Sequence, residues 1–136
     1  IELFKAMADL EKLKKYLHLP VQSGSGKILK LMNRGYSRKF YLDLMDNYRK
    51  ILKSANLTTD IIVGFPSETE ADFLDTYNLV KGSGFDAAYI FKYSPRPHTE
   101  AAKFADDVDR KEKEKRHKAI LDLQNDISNK KKCLKK

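Results

Sequence analysis

Residues 57–69 read Leu-Thr-Thr-Asp-Ile-Ile-Val-Gly-Phe-Pro-Ser-Glu-Thr, and this stretch decides the fold. Its first seven residues are rich in β-branched side chains, which predicts a strand over 57–63. Gly64 to Ser67 then turn the chain, and Thr69 with Asp72 three residues later forms a weaker version of the capping box that begins a helix. A strand that leads through a short turn into a helix is typical of a parallel α/β fold.

The same alternation continues on both sides of this stretch. Strands are predicted over 16–21 and 87–93, and helices over 2–15, from Ser25 to about 33, after Ser37, and from Asp109 into a lysine-rich tail. The order α-β-α-β-α-β-α predicts right-handed βαβ units and a parallel sheet of three strands. We interpret Tyr89, Phe91 and Tyr93, which alternate along the third strand, as core packing.

The composition excludes several classes of protein. The 136 residues are 41% hydrophobic, which is enough for a folded core. Cys133 is the only cysteine, which excludes an internal disulfide and a cysteine-based zinc site. No apolar run reaches the roughly 18 residues of a membrane span, and no targeting signal is recognisable, so we expect a cytoplasmic protein. The chain opens with Ile1 rather than methionine, which suggests a piece of a longer protein.

Positive charge is concentrated at the end of the chain. The formal net charge is +8, and residues 109–136 account for +6 of it. A concentrated basic segment attracts polyanions such as RNA. A solvated helix surface that ends in a lysine tail is the alternative, and the sequence leaves both open.

Ligands of parallel α/β sheets bind beyond the carboxyl ends of the strands. Here that rule indicates the loops 22–26, 64–68 and 93–97. Asp60 stands inside a predicted strand, where a carboxylate needs partners. Ribose hydroxyls are one possibility, and a neighbouring Lys or Arg is the other.

No catalytic or metal-ligating set emerges from the residues themselves. The stretch 24–27, Gly-Ser-Gly-Lys, lacks the remaining residues of a phosphate-binding loop. His18, His98 and His117 do not have the spacing of metal ligands, and we interpret them as structural or surface residues. The serines lack a recognisable His/Asp partner pattern, which argues against nucleophilic catalysis.

Four segments match a known family in order and in spacing. They are 17–25 (Leu-His-Leu-Pro-Val-Gln-Ser-Gly-Ser), 29–36 (Leu-Lys-Leu-Met-Asn-Arg-Gly-Tyr), 58–69 within the stretch quoted above, and 91–97 (Phe-Lys-Tyr-Ser-Pro-Arg-Pro). Together they resemble the radical S-adenosylmethionine (SAM) methylthiotransferases. The tRNA branch, which makes 2-methylthio-isopentenyladenosine beside the anticodon, is the most similar. The resemblance runs from about residue 2 to residue 128.

The resemblance implies the C-terminal half of a partial (β/α)6 TIM-like barrel over 1–108. A C-terminal helix and basic linker over 109–136 would lead toward an RNA-binding TRAM domain. The family uses SAM and two [4Fe–4S] clusters, one of them held by a Cys-x-x-x-Cys-x-x-Cys loop. A chain with one cysteine cannot ligate such a cluster by itself. The resemblance therefore implies a piece that is inactive alone.

The resemblance also implies a SAM site. Gln22 and Asp60 match the residues that contact the ribose hydroxyls in related enzymes, and Arg34 matches the arginine that pairs with the methionine carboxylate. Gly64 matches a glycine-containing motif after the fifth strand of the barrel. The backbone from Phe91 to Ser94 matches the segment that lies against adenine. These contacts would act by positioning SAM.

The implied function is the SAM-binding half of an enzyme that adds a methylthio group to isopentenyladenosine in tRNA. Two alternatives stay open: another radical SAM enzyme, similar to coproporphyrinogen dehydrogenase, and a non-catalytic basic RNA-binding module. No membrane partner is expected. A half-barrel would also leave the edge of its sheet unpaired, so we expect self-association through that edge.

Overall fold

The computed structural model describes residues 3, 5, 6, 16–52, 55–99 and 103–134. Its sheet has three parallel strands, β1 (Tyr16–His18), β2 (Asn56–Val63) and β3 (Ala87–Lys92), in the order β1-β2-β3. The predicted α/β class with a parallel sheet is confirmed. The register places His18 beside Thr58 and Asp60 beside Tyr89. Polar residues from two strands thus become neighbours on one face of the sheet.

Four helices accompany the strands: α1 (Gly26–Leu31), α2 (Arg38–Ile51), α3 (Glu70–Ser83) and α4 (Arg110–Leu134). The hydroxyls of Ser25, Ser37 and Thr69 accept hydrogen bonds from backbone N–H groups of the first turns of α1, α2 and α3, as predicted. Thr69 forms a complete capping box with Asp72. The predicted first helix over 2–15 lies mostly outside the described residues.

The core lies between the helices and one face of the sheet. Side chains of β2 that point to this face are buried, as are the inward-facing side chains of α2, α3 and α4; they include Leu57, Ile61, Val63, Tyr41, Tyr48, Leu79, Val80 and Ile120. Because successive residues of a strand point to opposite faces, Thr58, Asp60 and Ile62 face the other side. The sheet therefore has one helix-covered face and one face that carries polar residues.

The second face of the sheet corrects one prediction. Tyr89 and Phe91, which we interpreted as core packing, are each 53% exposed, and Tyr16 on β1 is 41% exposed. The alternation along β3 was read correctly, but in the described part of the chain the helices pack on the opposite face. Tyr93 differs because it follows the strand and its ring packs edge-on against Phe65, with the centroids 5.1 Å apart.

Helix α4 packs on β3 and α3, and polar contacts join it to the loops beside them. Arg116 is 6% exposed and donates to a side-chain oxygen of Glu68 at 2.9 Å, and Lys113 is 8% exposed and pairs with Asp106 at 2.7 Å. Gln124 donates to the backbone oxygen of Phe85 at 2.8 Å. Some of the positive charge that could have indicated an RNA surface is thus buried in contacts within the fold.

Candidate functional site

A cleft of about 730 Å³ opens at the carboxyl ends of the strands. Five of the six residues predicted to form a binding site line it: Gln22, Arg34, Asp60, Phe91 and Ser94. They come from β2, from the end of β3 and from the loops that follow β1, α1 and β3. The parallel topology brings these positions together, because all strands of such a sheet end at the same edge.

Gln22 reaches the cleft by a route that the sequence did not predict. The strand predicted over 16–21 is shorter, because β1 ends at His18, and Gln22 has a left-handed backbone with φ 70°. Gln22 then rejoins the sheet as a single parallel bridge, its N–H donating to the oxygen of Asp60 and its oxygen accepting from Ile62, both at 2.9 Å. The backbone of Gln22 is therefore fixed directly beside Asp60.

The turn after Gln22 is fastened to α3. Gly24 donates its N–H to the Thr76 hydroxyl at 2.8 Å, and the Ser25 hydroxyl donates to Asp72 at 2.8 Å. A Cβ on Gly24 would lie 2.5 Å from the backbone oxygen of Asp75, so only glycine allows this approach. The Ser-Gly-Ser part of the motif thus has a structural reason, which is to hold the turn that presents Gln22.

Asp72 is the charged residue among the contacts that attach this turn to α3. Its side chain accepts from Ser25, from Thr69 and from the ammonium group of Lys27, the last at 2.8 Å. Burial raises the pKa of Asp72, but hydrogen bonds from Lys27, Thr69 and Ser25 outweigh that effect and lower it to about 2. The carboxylate is therefore ionised at neutral pH, and α1 and α3 meet through it.

Arg34 enters the cleft from the loop after α1. Its N–H donates to the oxygen of Leu29 at 3.0 Å, which continues the end of the helix, and Asn33 before it has a left-handed φ of 59°. Tyr36 closes the loop by donating to the backbone oxygen of Val21 at 3.0 Å. Burial raises the pKa of Tyr36, and the positive charge of nearby Arg34 offsets only part of this rise. Both ends of the loop that carries Arg34 are thus anchored to the fold.

Asp60 has a partner that neither sequence interpretation named. Its Oδ2 lies 3.1 Å from Nε2 of His18, and the two side chains are 28% and 34% exposed. From the sequence, His18 was interpreted as a structural or surface residue. The contact follows once the register of β1 and β2 is known, because a residue of β1 beside Thr58 lies diagonally across from residue 60 on the same face.

Gly64 is the predicted site residue that does not line the cleft. It has a φ of 75°, and its N–H donates to Glu68 at 2.9 Å. A Cβ here would collide with the side chain of Lys113. Burial raises the pKa of Glu68, and the contacts from Gly64 and Arg116 oppose that rise. Gly64 therefore shapes the turn after β2, next to α4.

The other residues that line the cleft include four whose side chains were not assigned to a ligand from the sequence, although they lie in or next to the loops indicated for ligands. Phe65 and Tyr93 add aromatic surface to that of Phe91, and Lys92 and Arg96 add positive charge. Apolar walls with a few polar groups are typical of small-molecule sites. Among the described residues, no group of three or more His, Cys, Asp or Glu side chains could hold a metal ion.

Comparisons with known proteins agree on one superfamily. The family model for the radical SAM superfamily matches residues 1–80. Proteins named tRNA-2-methylthio-N(6)-dimethylallyladenosine synthase are similar over 93% of this chain: one from a Thermoanaerobacter species is 53% identical, and those from Endomicrobium trichonymphae and Moorella thermoacetica are each 49% identical. The chain spans 27–30% of the length of these relatives. No helix in the described part of the chain is long and apolar enough to cross a membrane.

Proposed function

Since the chain belongs to the radical SAM superfamily, we propose that it is the SAM-binding part of a tRNA methylthiotransferase. The complete enzyme would add a methylthio group to isopentenyladenosine next to the anticodon. One observation carries the proposal: Gln22, Arg34 and Asp60, which the family resemblance assigns to SAM, line one cleft. A tRNA substrate also favours a cytoplasmic location.

The chemistry of the cleft fits SAM. A ribose diol needs hydrogen-bond acceptors and donors, which the carboxylate of Asp60 and the amide of Gln22 supply. A methionine carboxylate is matched by the planar guanidinium fork of Arg34. The exposed ring of Phe91 and the backbone that leads to Ser94 offer a flat surface for adenine. The volume of about 730 Å³ falls within the range of about 300–1,000 Å³ that small-molecule sites occupy.

The iron–sulfur clusters of the family find no ligand set here. Cys133 is the only cysteine, and it is exposed on α4. In the complete enzyme, a cluster held by residues outside this chain would supply the electron for reductive cleavage of SAM. The residues of this chain bind and orient the ribose, the carboxylate and the adenine, so that the reacting sulfur is held in one place. We expect this chain alone to bind SAM weakly and to catalyse nothing.

Calorimetry with SAM on the full-length gene product that carries this chain tests the proposal. Arg34→Gln should weaken binding by about tenfold or more, because it removes a charge-assisted pair. Arg96→Gln is the matched control, since Arg96 lines the same cleft but has no assigned contact; it should bind within about twofold of the wild type. Failure of the wild-type protein to bind SAM, or equal binding by the Arg34 variant, would contradict the proposal.

Mass spectrometry of tRNA tests the substrate. The complete enzyme with its clusters reconstituted should convert isopentenylated tRNA to the methylthio product and leave unmodified tRNA unchanged. Binding of SAM without any methylthio product would instead favour another radical SAM enzyme, such as one similar to coproporphyrinogen dehydrogenase.

A further inference from the structure

We infer that His18 is a positioning residue of this site, which fixes the carboxylate of Asp60 so that one oxygen stays available to a ribose hydroxyl. The inference rests on the proposed function, because the ribose belongs to SAM. His18 itself does not line the cleft, whereas Asp60 does. The imidazole therefore acts on the ligand only through the carboxylate.

Strand register brings the two side chains together. His18 pairs with Thr58 across β1 and β2, and Thr58 and Asp60 are two residues apart on the same face. The imidazole spans this diagonal: Nδ1 lies 2.7 Å from the Thr58 hydroxyl, and Nε2 lies 3.1 Å from Oδ2 of Asp60. Both ring nitrogens are therefore engaged, and the ring cannot rotate without losing two contacts.

For a neutral His18 ring, one direction of hydrogen bonding satisfies Tyr16, Thr58 and Asp60 together. The Tyr16 hydroxyl lies 2.9 Å from the Thr58 hydroxyl, which in turn contacts His18. When Tyr16 donates to Thr58 and Thr58 donates to Nδ1, the proton of neutral His18 stands on Nε2 and points at the carboxylate. Thr58 is 4% exposed, so its hydroxyl requires such partners. With this direction of donation, the ring nitrogen that faces Asp60 is the donor.

The contact leaves part of the Asp60 carboxylate available. Oδ2 is the oxygen that His18 contacts, and Oδ1 accepts no hydrogen bond from the part of the chain that the structure describes. The rings of His18 and Tyr89 also pack in a T-shaped arrangement, with centroids 6.0 Å apart, which limits the motion of His18 further. A carboxylate held in one rotamer loses less freedom when a ligand binds, and this is the physical basis of preorganised affinity.

A purely structural role for the His18–Asp60 contact is the competing explanation. Both side chains are about one-third exposed, and exposed ion pairs contribute little to stability. The positioning role predicts a loss that is specific to ligands with a ribose. A structural role predicts a lower free energy of unfolding for the variant and an equal loss of affinity for every ligand.

Two ligands, each corresponding to one half of SAM, distinguish these explanations. 5′-Methylthioadenosine carries the ribose without the carboxylate, and methionine carries the carboxylate without the ribose. In the full-length gene product, His18→Phe keeps an aromatic ring beside Tyr89 but removes both ring nitrogens. We expect His18→Phe to weaken 5′-methylthioadenosine about tenfold and to leave methionine unchanged. His18→Gln, which can still donate to Asp60, should recover most of the loss.

A double-mutant cycle closes the test. If His18 acts only through Asp60, the double variant of His18→Phe and Asp60→Asn should bind 5′-methylthioadenosine no more weakly than Asp60→Asn alone. Additive losses, or unchanged binding by His18→Phe, would overturn the inference while SAM binding by the wild-type protein preserved the proposed function. If His18→Phe does not fold, Thr58→Val provides the second test, with an expected loss of about threefold for the same ligand.

Discussion

Substitution of Gly24 by alanine should separate the turn that carries Gln22 from α3. A Cβ at this position would lie 2.5 Å from the backbone oxygen of Asp75 and 2.7 Å from Cα of Thr76. Normal contacts between these atom types are near 3.5 Å, so either the turn or the helix backbone must move by about 1 Å. Backbone atoms cannot rotate away as a side chain can, and the movement therefore breaks other contacts.

The cost can be worked from the contacts that would be lost. Overpacking in a buried region costs about 1–3 kcal/mol. The buried hydrogen bond from the Gly24 N–H to the Thr76 hydroxyl, 2.8 Å long, would weaken or break, which adds about 1 kcal/mol. We expect Gly24→Ala to lower the free energy of unfolding by about 3 kcal/mol. Because the turn presents Gln22, SAM affinity should fall as well.

Urea unfolding of Gly24→Ala beside Gly26→Ala is the assay. Gly26 begins α1, its φ is not positive, and a Cβ there would meet nothing within 4 Å. Gly26→Ala should therefore be neutral or stabilising by up to about 1 kcal/mol, because alanine favours the helix. If the two variants unfolded within about 0.5 kcal/mol of each other, the tight approach of the turn to α3 would be refuted.

Three further predictions concern the same region and the sheet. Gln22→Gly should raise stability by relieving the positive φ, whereas Gln22→Ala should leave the strain in place, because alanine carries a Cβ as glutamine does. Both variants should weaken SAM binding; urea unfolding and calorimetry measure the two effects, and equal stability of the two variants would contradict the strain. The folded pKa of Asp72 is about 2, below its ordinary value of 3.8, so Asp72 contributes stability above about pH 4, and this is lost as the pH falls toward 2. The difference in unfolding free energy between wild type and Asp72→Asn should therefore shrink over that interval, and a constant difference would count against the ionised contact. Finally, this chain should self-associate at high concentration through its sheet edges and the exposed rings of Tyr16 and Tyr89, and sedimentation that finds a strict monomer up to millimolar concentration would argue otherwise.

Local chemistry made the elements of this fold predictable. The caps at Ser25, Ser37 and Thr69 follow from hydrogen bonds between residues three positions apart, which a sequence displays directly. Strand β2 follows from its β-branched residues, and its turn follows from Gly64. The position of the site at the carboxyl edge of the sheet then follows from the parallel topology.

The features that could not be predicted depend on how distant segments of the chain align with one another. The contact between His18 and Asp60 depends on how two strands about 40 residues apart align, and the sequence does not state that alignment. The left-handed backbone of Gln22 depends on a bridge to Ile61. The requirement for glycine at position 24 depends on the backbone of α3, which leaves no space for a Cβ there. The exposure of Tyr89 and Phe91 depends on which face the helices cover, and alternation cannot indicate that choice.

A crystal structure of the full-length gene product with SAM bound tests the central claim most directly. We expect Gln22 and Asp60 to lie about 2.7–3.2 Å from the ribose hydroxyls, and Arg34 to form a forked contact with the methionine carboxylate. SAM bound outside this cleft, or bound within it with these three side chains turned away, would contradict the account.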